Sequence, residues 1–277
     1  MKICIVSKID SKEPLELAQS LGWALSDKGY EVVYEESVAA ELGYEGVSLR
    51  NLDADMLLVL GGDGSVLRAV RMMNSQIPVL GINQGHVGFL TDLEKENIES
   101  DLQSILETPK IETRMRLSIE CNGRDCGPAL NEAVIVTARP AKILDFTVSV
   151  NGKVIDSFRS DGLIISTPTG STAYAMSAGG PIVDPALEAM LLVPMSPYML
   201  SSRPYLLNSA SEVTVTLSSD KTALLVIDGQ DQYEIGKNAE IIIRKAKEPA
   251  KFVDAGRTFF EKVEQKLRQH SNPKRSI

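Results

Sequence analysis

Apolar and polar positions follow two different periods within the first 110 residues. Apolar residues from Leu15 to Leu25 recur three and four positions apart, which predicts a helix that starts at Pro14 and stops by Gly29. Short unbroken apolar runs are typical of strands that are buried on both faces. On these criteria the predicted strands span residues 2–7, 30–34, 56–60 and 77–82, and further helices span 65–73 and 98–106. Strands that alternate with helices predict a parallel sheet with right-handed crossovers.

After residue 110 the pattern changes to short strands separated by turns. The dipeptide Asn151-Gly152, between Val150 and Val154, predicts a type I′ hairpin because both residues tolerate positive φ. The other predicted strands span residues 117–121, 133–136, 146–150, 213–217, 224–227 and 241–243. This part of the chain is therefore expected to be mostly β.

The final predicted helix has one apolar face, formed by Phe259, Phe260, Val263 and Leu267. A lone helix after a β domain must cover another surface, so we expect it to pack on the first domain. The predicted fold is an α/β N-terminal domain (residues 1–110) with a parallel sheet, completed by helix 257–269, plus a mostly β C-terminal domain (residues 111–253). If the Phe260 ring is fully buried, replacing it with alanine should cost about 3 to 5 kcal/mol.

Charge and hydropathy exclude several classes of protein. The chain has 29 Lys and Arg against 37 Asp and Glu, a net charge of −8 that gives no general attraction to nucleic acid or to an anionic membrane. The stretch 162–183 has no charged residue, but its prolines, glycines and hydroxyl residues are typical of a ligand pocket and not of a membrane span. No export signal follows Met1, so we expect a cytoplasmic location.

Cysteine usage predicts neither a disulfide framework nor a metal site. The chain has three cysteines, an odd and sparse set that suits a reducing compartment. Cys121 and Cys126 flank a predicted turn, and His86 and His270 both lie far from them in the sequence. We therefore expect no metal bound by protein side chains alone.

A glycine-rich turn, Gly61-Gly62-Asp63-Gly64, follows the buried strand 56–60 and precedes a helix. This position is the carboxyl edge of a parallel sheet, where backbone N–H groups and the helix N-terminus can bind a phosphate. The alternative is a tight turn in which Asp63 only caps the helix. No Gly-Lys-Ser/Thr sequence occurs and no third glycine follows, which excludes a Walker loop and the dehydrogenase fingerprint.

A second cluster of polar residues surrounds the predicted strand 162–166. Asp161 precedes this strand, the turn Thr-Pro-Thr-Gly-Ser-Thr at 167–172 follows it, and a helix is predicted to start at Ala173. The hydroxyl groups suit the base and ribose of a nucleotide, and Tyr174 offers an aromatic face for stacking. The alternative is a capped helix start with a tyrosine in the core.

Two weaker signals accompany these clusters. Asn131 and Glu132 precede the strand 133–136, where an amide beside a carboxylate can bind ribose hydroxyls or base edges. Lys142 and Arg159 have no predicted partner and are suited to neutralise a pyrophosphate. On an ordinary surface the same two cations would only be solvated.

Taken in order, the motifs resemble those of the NAD kinase family. They are Gly61-Gly-Asp-Gly64, Gly85-His-Val-Gly-Phe-Leu90, Asn131-Glu132 and Thr167-Pro-Thr-Gly-Ser-Thr-Ala-Tyr174 continuing to Ser177-Ala-Gly-Gly-Pro-Ile182. The first is shared with diacylglycerol and sphingosine kinases and with phosphofructokinases, whereas the Thr-Pro-Thr-Gly-Ser-Thr-Ala-Tyr run is specific. The resemblance covers nearly the whole chain and implies the same two-domain arrangement, with a last helix that returns to the first domain.

The resemblance implies transfer of the γ-phosphoryl group of ATP, with Mg²⁺, to the 2′-hydroxyl of the adenosine ribose of NAD, giving NADP. Asp63 would be the proton acceptor, with Gly64 beside it. The implied NAD-binding residues are Asn131, Glu132, Lys142, Arg159, Asp161, Thr172, Ala173, Tyr174, Ala175, Met176, Ser177 and Gln230. A homodimer or homotetramer is also implied, with no nucleic acid or membrane partner. The chain departs from many members at Ser65, where they have threonine, and at Tyr198, where they have histidine.

Two alternatives from other classes remain at the level of sequence. A diacylglycerol-type lipid kinase would share the glycine turn, but it should present an apolar or basic membrane-facing segment, and this acidic chain offers none. A non-catalytic dinucleotide sensor would keep Asn131, Asp161 and Tyr174 and would not need Asp63. Formation of NADP from ATP and NAD distinguishes the three.

Overall fold

The structure is a computed structural model that describes residues 1–9, 12–84, 88–94, 98–139, 142–199 and 201–268. The chain divides into two compact units, Met1–Thr113 together with Ala250–Ile277, and Arg114–Pro249. Within the described residues, no helix is both long enough and apolar enough to cross a bilayer.

The first unit is built on a sheet in which six strand pairs are parallel, which confirms the predicted α/β class. Its strands lie in the order β3-β2-β1-β4-β5-β20-β7, with β6 beside β5. The strands are β1 (Lys2–Ser7), β2 (Glu31–Glu35), β3 (Gly46–Val47), β4 (Met56–Leu60), β5 (Pro78–Asn83), β6 (Leu93–Glu94), β7 (Ile111–Arg114) and β20 (Ala250–Val253). The helices are α1 (Lys12–Asp27), α2 (Glu36–Leu42), α3 (Asp63–Met72), α4 (Ile98–Glu107) and α6 (Phe259–Arg268).

The strand β4 positions the glycine turn. All five of its residues are buried, as expected for an inner strand of a parallel sheet with apolar residues on both faces. Its neighbours β1 and β5 pair with it in register, and Gly61 N–H donates to the carbonyl of Ile82 at 3.0 Å. The turn into α3 therefore starts from a fixed point at the carboxyl edge of the sheet.

The strand β20 differs from the sequence prediction, which placed residues 250–253 in the β-rich domain. In the structure β20 extends the first sheet beside β5, with Lys251 opposite Pro78 and Phe252 opposite Val79. Phe252 is buried, so this strand packs its apolar side chains in the core of the first unit. The local pattern identifies an apolar strand but not the sheet with which it pairs.

The second unit consists of two antiparallel sheets, which confirms the expected β-rich class. Their strand orders are β15-β14-β13-β10-β17-β18 and β12-β11-β16-β19-β8-β9. The bounds are β8 (Leu117–Cys121), β9 (Arg124–Ala129), β10 (Glu132–Thr137), β11 (Leu144–Val150), β12 (Lys153–Ser160), β13 (Gly162–Ser166), β14 (Ala189–Met195), β15 (Tyr205–Asn208), β16 (Val213–Leu217), β17 (Ala223–Ile227), β18 (Asp231–Ile235) and β19 (Glu240–Lys245), with the single-turn helix α5 (Tyr174–Ser177). At the turn between β11 and β12, φ is 50° at Asn151 and 77° at Gly152, which confirms the predicted hairpin.

The terminal helix α6 packs on the first unit, as predicted, but not through Phe260. Phe260 is 65% exposed, so its predicted burial is wrong, and the side chain that enters the core is that of Lys262. Lys262 forms an ion pair with the buried Asp92, and its Nζ donates to the carbonyl of Phe89 at 3.4 Å. The Phe259 ring also contacts Phe89, with centroids 6.3 Å apart. The buried carboxylate of Asp92 therefore favours burial of Lys262, which the pattern of apolar residues alone does not predict.

This arrangement predicts losses of stability of different size at two nearby positions of α6. Lys262→Met should lower the free energy of unfolding by about 3 to 5 kcal/mol because Asp92 loses its cation inside the protein. Phe260→Ala should cost about 1 kcal/mol or less because the ring is mostly solvated. Urea denaturation of both variants checks the prediction, and a larger loss for Phe260→Ala than for Lys262→Met would contradict it.

Candidate functional site

The carboxylate of Asp63 ties the glycine turn to a second backbone segment. Asp63 is the first residue of α3, and Gly62 is the N-cap with no side-chain capping bond. Asp63 Oδ2 accepts a hydrogen bond from the N–H of Phe89 at 2.9 Å, and Oδ1 accepts one from Leu90 at 2.9 Å. The interpretation of Asp63 as only a helix cap is therefore wrong.

Two further residues of the first unit complete the surroundings of this carboxylate. Lys266 on α6 brings its Nζ to 3.6 Å from Asp63 Oδ2 and to 4.3 Å from the centroid of the Phe89 ring. Gly88 lies so close that a Cβ there would be 2.0 Å from Asp63 Oδ1, so only glycine fits. The Asp63 side chain keeps 27% of its surface exposed, which leaves it accessible to a substrate.

A cavity of about 390 Å³ opens beside the same turn. Its lining includes Lys8, Ser65, Arg68, Gly62 and Gly64. Gly62 and Gly64 do not adopt positive φ, and a Cβ on either would meet no atom within 4 Å, so these glycines leave bare backbone facing open space. Arg68 is paired at 3.9 Å with a buried glutamate, Glu35. A helix N-terminus beside two cations is suited to bind phosphates.

In the second unit, three polar segments meet at one end of a sheet. Asn131 and Glu132 lie at the start of β10, Thr167 follows β13, and Asp228 follows β17. The N–H of Thr167 donates to the carbonyl of Asn131 at 2.8 Å, and its hydroxyl donates to the carbonyl of Leu130 at 2.6 Å. The structure therefore brings together the Asn-Glu pair and the Thr-Pro-Thr-Gly turn that the sequence singled out separately.

Asp228 is the residue of this cluster whose role sequence reasoning missed. Its buried carboxylate accepts three backbone N–H groups, those of Leu130 at 2.7 Å, Asn131 at 2.8 Å and Glu132 at 3.0 Å. Gln230 lies exposed in the same turn, where its N–H donates to the carbonyl of Ile227 at 2.9 Å. An Asp-Gly dipeptide after an alternating strand signals a turn, but nothing local indicates which backbone the aspartate binds.

Glu132 is an acid of this cluster whose pKa departs far from its ordinary value. Its side chain is 6% exposed, and within the described part of the chain Oε2 has no hydrogen-bond partner. Burial, followed by the negative charge of Asp228, raises the pKa of Glu132 to about 8. An acid held partly protonated near neutral pH, with an unused oxygen, is typical of a binding or catalytic position.

The segment from Thr172 to Ser177 contains both exposed and buried groups. Thr172 ends a 3₁₀ turn and is buried, with its hydroxyl donating to the carbonyl of Thr169 at 3.3 Å. Tyr174 is 45% exposed, so the alternative of a core tyrosine is wrong. Ala175 is fully buried in an apolar cluster, and its carbonyl accepts a hydrogen bond from the N–H of Gly180 at 2.9 Å. Ala173 and Met176 are half-buried, and Ser177 is exposed.

Arg159 and Asp161 lie at the other end of β13 from Thr167. The five residues of this strand separate the two ends by about 16 Å at roughly 3.3 Å per residue. Arg159 has two partners in the structure. Its Nε is 3.2 Å from Asp145 Oδ1, and its guanidinium lies 5.5 Å from the Tyr198 ring centroid. This pairing arises because the two residues face each other across the β11–β12 pair. Lys142, by contrast, is exposed before β11.

The raised pKa of Glu132 predicts a pH-dependent stability. Below pH 4.5, the ordinary pKa of a glutamate, Glu132 is protonated in both the folded and the unfolded states. Between pH 4.5 and about pH 8 the unfolded chain releases this proton, whereas the folded protein retains it. The stabilisation is therefore lost as pH rises through this window, by an amount on the order of several kcal/mol. Glu132→Gln removes the titration, so its melting temperature relative to wild type should increase between pH 5 and pH 9. A constant difference across this range would contradict the prediction.

Comparisons with known proteins agree with this architecture. Residues 3–111 match the model for the ATP-NAD kinase N-terminal domain, and residues 130–255 match that for the ATP-NAD kinase C-terminal domain. The fold also resembles that of yeast NADH kinase in a crystal structure with NADH, with a TM-score of 0.88, 23% identity and coverage of 100% of this chain and 90% of that one.

Relatives with higher sequence identity show the family as well as the fold. An NAD kinase from Methanocorpusculum labreanum is 70% identical over 97% of this chain and 99% of its own length, and one from Methanoculleus marisnigri is 52% identical over 97% and 99%. A crystal structure of an NAD kinase from Archaeoglobus fulgidus in complex with ATP has a TM-score of 0.81 and 32% identity over 96% of this chain and 99% of that one. The chain therefore belongs to the ATP-NAD kinase family.

Proposed function

We propose that this chain transfers the γ-phosphoryl group of ATP to the 2′-hydroxyl of the adenosine ribose of NAD, with Asp63 as the proton acceptor. The observation that carries the proposal is the Asp63 carboxylate, held by two backbone N–H groups in the turn whose glycines, Gly62 and Gly64, line a cavity together with two cations. Membership of the ATP-NAD kinase family supports the activity. The same membership removes the reason to consider a lipid kinase.

The cavity beside the glycine turn would receive the phosphates of Mg·ATP. Lys8 and Arg68 provide positive charge, and the first N–H groups of α3 point toward an anion at the helix start. The described residues contain no group of three or more His, Cys, Asp or Glu that could hold a metal ion. This fits a Mg²⁺ that arrives on the triphosphate, because such an ion keeps waters and phosphate oxygens as most of its ligands.

Asp63 would act on the accepting hydroxyl. The 2′-oxygen forms a bond to the γ-phosphorus while the bond from that phosphorus to the β–γ bridging oxygen breaks, and the hydroxyl proton passes to the Asp63 carboxylate. Because this transition state needs alignment and charge compensation more than a strong base, the fixed orientation of Asp63 matters as much as its basicity. Lys266 would offset the carboxylate charge as the phosphates approach.

The second unit would bind NAD at the end of the sheet where Asn131 and Glu132 begin β10. Their amide and carboxyl groups suit ribose hydroxyls, and the exposed ring of Tyr174 suits stacking against a base. Further contacts are proposed from residues of which Thr172 and Ala175 are buried and the others exposed or half-buried: Lys142, Arg159, Asp161, Thr172, Ala173, Ala175, Met176, Ser177 and Gln230.

Replacement of Asp63 by asparagine tests the proposal. Asp63→Asn should lower turnover by about 10² to 10⁴, because the amide cannot accept the proton and its NH2 group opposes one of the two N–H groups that orient the side chain, while the protein remains folded and still binds NAD. The matched control is Asp53→Asn, which makes the same change at a fully exposed carboxylate of the same unit and should retain wild-type turnover.

The measurement is NADP formation from ATP and NAD at saturating NAD. Near-wild-type turnover of the folded Asp63→Asn protein would remove the catalytic assignment. No NADP from the wild-type chain, together with tight NAD binding, would instead indicate the non-catalytic sensor.

We also propose that the chain forms a homo-oligomer. The edge strand β15 supports this, because it pairs only with β14 among the described residues and leaves Leu206 57% exposed. Light scattering at micromolar concentration should give a dimer or tetramer mass. A monomer mass would refute the proposal.

A further inference from the structure

Hydrogen bonds join Asp228 and the start of β10, and each segment donates to the other. Besides the three N–H groups that donate to the Asp228 carboxylate, the Asp228 N–H donates to the carbonyl of Glu132 at 3.0 Å. The residue has a φ of 49°, and Gly229 follows with a φ of 66°. A left-handed conformation disfavours most side chains, and aspartate is among the few that adopt it routinely. This backbone conformation directs the Asp228 carboxylate toward residues 130–132.

Backbone dipoles stabilise the charge of this carboxylate. Arg116 lies within its electrostatic reach, and the guanidinium also donates to the carbonyl of Glu248 at 2.9 and 2.8 Å and lies 3.6 Å from the Glu248 carboxylate. Burial lowers the pKa of Arg116 while Glu248 and Asp228 act to raise it. Three amides pointing at one carboxylate form charge-assisted bonds, each stronger than a neutral one.

The same carboxylate acts on Glu132 in two ways. Its Oδ1 fixes the Glu132 backbone N–H, and its charge faces the Glu132 carboxyl group from the neighbouring turn. Among the described residues, Asp228 is the charged group that affects the ionisation of Glu132, in the same direction as burial. A change at Asp228 should therefore alter both the position of Glu132 and the pH at which it ionises.

We infer that Asp228 is a positioning residue of the dinucleotide site, holding the backbone of Leu130, Asn131 and Glu132 in the conformation that NAD meets. The inference rests on the proposed function for the identity of the ligand. Asp228 need not touch NAD, since its carboxylate is occupied by the three amides and is 6% exposed. Its contribution reaches the ligand through Asn131 and Glu132.

Asp228→Asn separates this role from a purely structural one. In this variant the side-chain NH2 group, which is a donor, faces one of the backbone N–H groups, so a hydrogen bond is lost. The substitution also removes the negative charge, while the side chain keeps its size. At pH 9, where Glu132 is mostly ionised in both proteins, the KM for NAD should rise by about tenfold, the effect expected from roughly 1.4 kcal/mol of lost positioning, with the KM for ATP and kcat within about threefold of wild type.

The pH profile of NAD binding gives a readout that a structural defect alone would not move. In the wild type, affinity for NAD measured by calorimetry should increase through about pH 8, because ionised Glu132 accepts ribose hydroxyls more strongly. Asp228→Asn should move this midpoint to lower pH, and Glu132→Gln should abolish it. Asp231→Asn, the same change at an exposed position three residues on, should leave the midpoint and both KM values unchanged.

Asp228→Glu keeps the inference testable if the asparagine variant does not fold. This variant retains the charge but shifts the carboxylate by one methylene, so the KM for NAD should rise while the midpoint stays near that of wild type. An unchanged KM for NAD in either variant, or equal losses for NAD and ATP, would overturn the inference. Absence of NADP formation by the wild-type chain would count against the proposed function alone, because calorimetry with NAD still compares the variants.

Discussion

A carboxylate that collects backbone N–H groups is the interaction on which both proposed substrate sites depend. In the first unit Asp63 accepts the amides of Phe89 and Leu90, and in the second unit Asp228 accepts those of residues 130–132. An N–H group left unpaired in the interior costs about 1 to 3 kcal/mol, and a charged acceptor pairs with it more strongly than a neutral one. Each carboxylate therefore stabilises a loop that would otherwise lack partners, and the loop in turn orients the carboxylate.

Phosphoryl transfer benefits from this kind of construction because its transition state depends on alignment and on fixed dipoles. Asp63 remains partly exposed between two amides and Lys266, so it can meet a hydroxyl without a large rearrangement. Gly88 has no side chain at the point of closest approach, which lets the backbone reach the carboxylate. The terminal helix thereby contributes to the proposed chemistry as well as to the core of the first unit, since Lys262 and Lys266 lie on it.

The local features of the fold were predictable from the sequence because they depend on neighbouring residues. The buried run 56–60, the glycine turn after it and the Asn151-Gly152 hairpin each have a short-range physical cause, and the structure places each as predicted. The family itself followed from one specific run, residues 167–174. These signals were sufficient to select the residues of both proposed sites by motif.

Features that depend on distant pairing were not predictable in the same way. Asp228 lies 97 residues from Asn131, and the pattern of either segment alone does not reveal their bond. Counting apolar residues on α6 favoured Phe260, because a buried ion pair between Lys262 and Asp92 leaves no trace in hydrophobic periodicity. The membership of β20 in the first sheet likewise depends on its pairing with β5 and not on its own composition.

The central claim, that amide-held carboxylates form both sites before any substrate binds, is tested most directly by amide hydrogen exchange followed by NMR on the substrate-free protein. The account predicts that the amides of Phe89, Leu90, Leu130, Asn131 and Glu132 exchange orders of magnitude more slowly than those of an unstructured chain. Exchange of these amides at the unstructured rate, with protection only after ATP and NAD are added, would contradict it.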